Sequence, residues 1–191
     1  EKAAQSVGPE PMLLCNLAVS FKHLARLDIA IQYSRWAYEV APHNPETVLC
    51  YCDDLFTLGQ FTVGLQVAQS ARHVPSPNDA INDFVRLFGD VLRDINGAGL
   101  SEDQLQAEMA LALEVLAESN IRYEGAQVRC DADPEDGTCS IVASFDFFGT
   151  LNDEMRLGAV LAPRLAELPR WDPCLLNTGF VYLLREDADA T

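Results

Sequence analysis

From Pro11 to Pro77 the chain carries one pattern twice, thirty-four residues apart, and this recurrence confines the N-terminal half to stacked copies of a helical unit. With one copy laid over the other, Leu14 falls on Val48, Leu17 on Tyr51, Phe21 on Leu55 and Leu24 on Leu58. The register continues through Leu27/Phe61 and Ile31/Leu65. The large residues recur at three- and four-residue spacing, as one apolar face of a helix requires. Small pairs (Ala18/Cys52, Ala30/Gly64, Ala37/Ala71) stand where two helix backbones must cross closely. Ala25 and Gly59 fall where the chain must turn tightly, and glycine adopts the backbone angles such a turn demands. Pro42 closes the first copy, and Pro45 opens the next helix where its missing N–H costs nothing. A unit of this kind cannot bury its apolar face alone, so adjacent copies support each other.

This period and this arrangement of large and small residues resemble the tetratricopeptide repeat. The resemblance implies antiparallel helical hairpins stacked into an α-α superhelix, with the first helix of each unit lining a concave groove that holds another protein. Carried over place by place, the groove positions are Met12, Cys15, Asn16, Val19 and His23, then Leu49, Cys50, Asp53 and Phe56. The family's clamp for a C-terminal carboxylate needs Lys, Arg and Asn at several of these places, and only Asn16 and nearby Lys22 answer to it. The expected ligand is therefore an extended or helical peptide with apolar anchors at Met12, Val19, Leu49 and Phe56. Asp53 favours a peptide that carries Lys or Arg.

Downstream of Pro77, Asn78 or Asp79 is placed to cap a helix reaching about Ile95, and its Val85, Phe88 and Leu92 look like a degraded third first-helix. Ser101 with Gln104 forms a capping box for a helix to about Ser119, which fits either the repeats or the second domain. From Ile121 the texture changes to strands. Ile121–Arg129 and Cys139–Phe148 read as a hairpin around the turn-rich Asp131–Gly137, Asn152 as a helix cap, and Phe180–Arg185 as a third strand. Pro163 is expected to kink or restart the intervening helix.

The expectation is an α+β chain. Residues 1–10 form a flexible lead-in, 11–100 the tetratricopeptide-like hairpins, and 101–191 a small domain with a three-stranded sheet and one or two helices.

Composition bounds the function. A formal charge of −16 over 191 residues argues against nucleic acid and anionic membranes as partners. No apolar run approaches the roughly 20 residues a membrane span needs. Six cysteines without a CxxC pair or zinc spacing read as reduced thiols of a cytoplasmic protein, although Cys130 and Cys139 flank a turn and could face each other.

Phe145-Asp146-Phe147-Phe148-Gly149-Thr150 is similar to the nucleophile motif of the haloacid-dehalogenase-like hydrolases, which would make Asp146 a nucleophile. That family also needs a downstream Lys, and none follows Leu151. The strand is moreover expected to arrive from a hairpin rather than open a parallel sheet. Asp131, Asp133 and Glu135 alternate as in a calcium loop, but Val142 stands where the bidentate acid belongs. His23, His43 and His73 are well separated in sequence and form no catalytic arrangement. No enzyme activity, metal or cofactor is expected. The leading reading is an adaptor or chaperone-like scaffold for a protein or peptide partner, with self-association through the repeats and an Asp146-centred hydrolase as alternatives.

Overall fold

The computed structural model describes residues 10–132, 139–169, 172 and 174–183. Helices α1 (Pro11–His23), α2 (Leu27–Val40), α3 (Pro45–Thr57) and α4 (Phe61–Ser70) come first. A 3-10 turn at Pro77–Asp79, α5 (Ala80–Gly97) and α6 (Glu102–Glu118) come next. Strands β1 (Tyr123–Ala132) and β2 (Cys139–Phe148), helix α7 (Leu151–Leu165) and strand β3 (Leu176–Leu183) complete the described chain. The chain is α+β, with seven helices and one three-stranded mixed sheet among the described residues.

The sequence offset reappears in the backbone. The bounds of α1 and α3 differ by thirty-four residues at both ends, and the starts of α2 and α4 do likewise. Each turn is the same hydrogen-bonded device. Arg26 N–H donates to the Phe21 carbonyl and Ala25 N–H to that of Lys22, while Gln60 and Gly59 repeat the pair on Leu55 and Phe56. Ala25 (φ 54°) and Gly59 (φ 69°) hold the left-handed conformation that this Schellman closure needs. Gly99 and Asn120 close α5 and α6 in the same way. Ala18, Ala30, Ala37 and Cys52 are wholly buried where the helices cross. Gly64 lies so close to Phe88 that an added Cβ would stand 2.3 Å from the ring, so glycine is what lets α5 pack along α4.

Helix α6 opens with the expected Ser101/Gln104 capping box, and it lies against α7 and β3. Glu102 also accepts the N–H of Thr62, capping the first turn of α4 from across the fold. Three details depart from the sequence reading. The cap of α7 is Thr150, whose hydroxyl accepts the Asp153 N–H, and not Asn152, which lies inside the first turn. Pro163 stands inside α7, two residues before its end, and the helix runs through it rather than restarting; the ladder bond it removes is the one to the Ala159 carbonyl. Asp79 precedes α5 with φ 59° and makes no side-chain cap; Ser76 Oγ accepts the Ile81 N–H instead.

In the sheet β1 pairs antiparallel with β2, and β2 pairs parallel with β3 through α7. The parallel pair corrects the expectation of a hairpin strand alone. β3 begins at Leu176, four residues before the expected start, and Leu184–Arg185 lie outside the described residues, as do residues 1–9, most of the Asp131–Gly137 loop and the tail. Helices cover one sheet face. Ile141, Ala143, Phe145 and Phe147 are wholly buried against them, while Ser140, Ser144 and Asp146 take the other face. A bulge at Glu124 turns Tyr123 inward beside Phe147. One apolar core then runs without a break from the α1–α2 turn to Phe180.

Cys130 is disulfide-bonded, against the reading of reduced thiols throughout, and the side chain of Cys139 lies outside the described residues. Cys15, Cys50, Cys52 and Cys174 are free.

Candidate functional site

The nine carried-over positions divide sharply in the fold. Met12, Asn16, Val19 and His23 form one stripe along α1, spaced four, three and four residues apart. Leu49, Cys50 and Asp53 stand on the neighbouring α3, and α1 packs directly on α3. Asn16, Val19 and Asp53 are exposed, and Met12, His23, Leu49 and Cys50 are half-buried. Cys15 is buried, and Cys50 Sγ points at its carbonyl. Burial pushes the thiols of Cys15, Cys50 and Cys52 up, Cys52 to about 12, so none is a nucleophile near neutral pH.

Phe56 is not an open anchor. It is 6% exposed and packs edge to face on Phe61 at 5.4 Å and against Phe88 at 6.0 Å between centroids. The reason is its position directly before the turn, where its ring is drawn under α5 rather than toward the open stripe.

The C-terminal ends of α1 and α3 carry an occupant from the chain itself. Tyr123, at the start of β1, is 1% exposed. His23 Nδ1 donates to its carbonyl oxygen at 3.0 Å. Thr57 Oγ1 lies 3.2 Å from its hydroxyl, and since the Thr57 proton goes to the Asp53 carbonyl, the tyrosine donates. Sequence reasoning missed Tyr123, because nothing in a lone tyrosine at a strand start tells which helix ends it will cover. Beyond it, His23 borders an open cleft of ≈560 Å³ lined also by Leu24, Arg26, Asn120 and Arg122.

Under the stripe lies a buried ionic group. Lys22 is 8% exposed and pairs with Asp53 and with Asp54, whose Oδ1 is 3.4 Å from Nζ. Neither Asp54 oxygen makes a well-formed hydrogen bond, and Lys22 and the Ser34 side chain are the groups that ease its charge. Burial holds the Asp54 carboxyl above its ordinary range despite Lys22. Burial pulls the Lys22 ammonium down, and the two carboxylates more than offset it, leaving its pKa raised. Asp53 is thus engaged from beneath, and with Glu46 it leaves the open stripe acidic.

Asp146 is half-buried near the end of β2, and Gln127 Nε2 donates to its Oδ2 at 3.0 Å across the open sheet face. His43 and His73 meet edge to face at 5.5 Å, which their separation in sequence did not suggest. Among the described residues no three His, Cys, Asp or Glu gather as metal ligands, and no helix is long and apolar enough to cross a membrane.

A second buried acid is Glu108 on α6, 2% exposed, whose Oε2 accepts the Thr178 hydroxyl at 2.8 Å. Burial raises its pKa from 4.5 to about 7, with the threonine bond opposing. The folded chain therefore binds a proton that the unfolded chain has lost between pH 4.5 and about 7, and stability falls as pH rises through that window. Glu108→Gln should abolish this slope and gain up to about 3 kcal/mol above it. Denaturant titrations at both ends of the window measure it, and an unchanged slope in the variant refutes the assignment.

The chain matches no family model, no curated protein and no solved structure.

Proposed function

We propose that the chain is a protein-interaction module of tetratricopeptide-repeat type, an adaptor or chaperone-like scaffold that holds an extended peptide along α1 and α3. The observation that carries this reading is the stripe's own occupant. An extended segment of the chain already crosses the ends of these helices, seated by one buried aromatic ring and two hydrogen bonds from Tyr123 and His23. Asn16, Val19 and Asp53 remain exposed along the stripe, with Met12 and Leu49 half-buried beside them. This is an apolar strip with an acidic edge, suited to a segment that alternates apolar with Lys or Arg side chains. The recurrence of helix bounds and turns at one offset supports the repeat assignment.

Selection of displayed random peptides on the purified chain tests it. Enriched peptides should be apolar and basic, and Val19→Asp with Leu49→Asp should weaken them at least about tenfold while far-UV circular dichroism stays unchanged. Enriched peptides that bind the double variant undiminished would place recognition elsewhere.

A further inference from the structure

The outer face of the first helical unit is apolar, open to solvent and unlike its counterpart one repeat later. On α1 and its C-cap it comprises Leu13, Leu17, Phe21 and Leu24; on α2, Ile29, Tyr33, Trp36 and Val40. Leu24 is 64% exposed, Leu13 55%, and Trp36 and Val40 46% each. Phe21 and Tyr33 stack across the two helices at 5.7 Å with parallel rings, joining the stripes into one surface.

Thirty-four residues on, the α1 stripe becomes Thr47, Tyr51, Leu55 and Leu58, and the first three of these are buried. The chain shows what covers that face: α2, whose Tyr38 stacks on Tyr51. The far end of the helical row is closed, since α5 packs along α4 with Phe88 against Gly64. Where the second unit carries Val67 and Ser70, the first carries Tyr33 and Trp36, so the large aromatics sit at the uncovered end.

We infer that this face is the seat of a second copy of the chain, in a closed two-fold dimer. Two observations select that occupant. The side of α2 that covers α3 is already engaged, and α5 covers α4, so neither can receive the exposed face of another molecule and the helical stacking cannot continue head to tail. A two-fold axis lets the face meet its own counterpart, which is an isologous contact. The charge distribution agrees. Residues 10–44 carry three acids (Glu10, Asp28, Glu39) and three bases (Lys22, Arg26, Arg35), whereas the chain as a whole stands at −16. Mutual repulsion of two acidic copies is weaker through this neutral end than through the strongly acidic second half. The surface is distinct from the Val19 stripe, and the inference does not depend on the peptide-binding reading.

Sedimentation equilibrium of the full chain tests it. The expected mass is twice 21.0 kDa, and association should tighten as salt rises, because screening removes the mutual repulsion while the apolar contact persists. Trp36→Glu and Leu24→Glu should each weaken association at least about tenfold by burying an unpaired charge, with circular dichroism unchanged. Val63→Glu, on the exposed face of α4, should leave the dimer intact. Peptides selected on the Val19 stripe should still bind Leu24→Glu. Should Trp36→Glu fail to fold, Leu24→Glu carries the test alone, since that side chain is the more exposed. A 21.0 kDa species at every concentration, or a dimer indifferent to both glutamates, overturns the inference.

Discussion

Phe56→Ala is expected to destabilise the fold by about 3–5 kcal/mol, a large fraction of what a domain of this size possesses. The ring fills an interior space beside Phe61 and Phe88, at the junction where α3, α4 and α5 meet. Those two neighbours are 0% exposed and belong to two other helices, so the cavity cannot collapse without shifting one of them. Chemical denaturation of wild type and variant measures the difference. A loss below about 1 kcal/mol would mean that the ring reaches solvent. It would then return Phe56 to the open stripe, where the tetratricopeptide resemblance places it.

The second large effect is expected at Lys22→Met. The lysine is the cation paired with Asp54, a buried carboxylate without a well-formed hydrogen bond. Removing one member of a buried ion group while its partner stays charged costs about 3–5 kcal/mol, more than an exposed pair of about 0–1 kcal/mol. The sign of the pH dependence follows from Asp54. Its carboxyl is raised by burial above the ordinary 3.8, and loss of Lys22 raises it further. A carboxyl whose pKa is higher folded than unfolded favours the folded state most below 3.8, and that advantage is lost as pH rises through the folded pKa. The variant should therefore be nearest to wild type in acid and furthest from it near neutrality. Asp54→Ser, which installs the residue found at the equivalent Ser20, should recover much of the loss in the Lys22→Met background. If the double variant is as unstable as the single one, the defect lies in packing of the lysine stem and not in the stranded charge.

Local features were legible in the sequence because they are written in neighbouring residues. The bounds of α1 and α3, the turns at Ala25 and Gly59, the Ser101/Gln104 box and strand Cys139–Phe148 with its alternating burial all follow from spacing and turn chemistry. The helical periodicity of α3 likewise identified an apolar side, but periodicity does not say what that side meets. Contacts between distant segments decided that. Phe56 turned inward because α5 lay beside it, and Tyr123 closed the ends of α1 and α3 because a bulge at Glu124 aimed it there. α6 came to lie against α7 and β3, and β3 joined β2 in parallel through a helix whose strand partner no local signal names. The helical units, their turns and the neutral charge of the first of them are thus readable from neighbouring residues alone. Which of their faces are covered emerges from long-range packing, because burial is a property of pairs of segments and each segment records its own half alone.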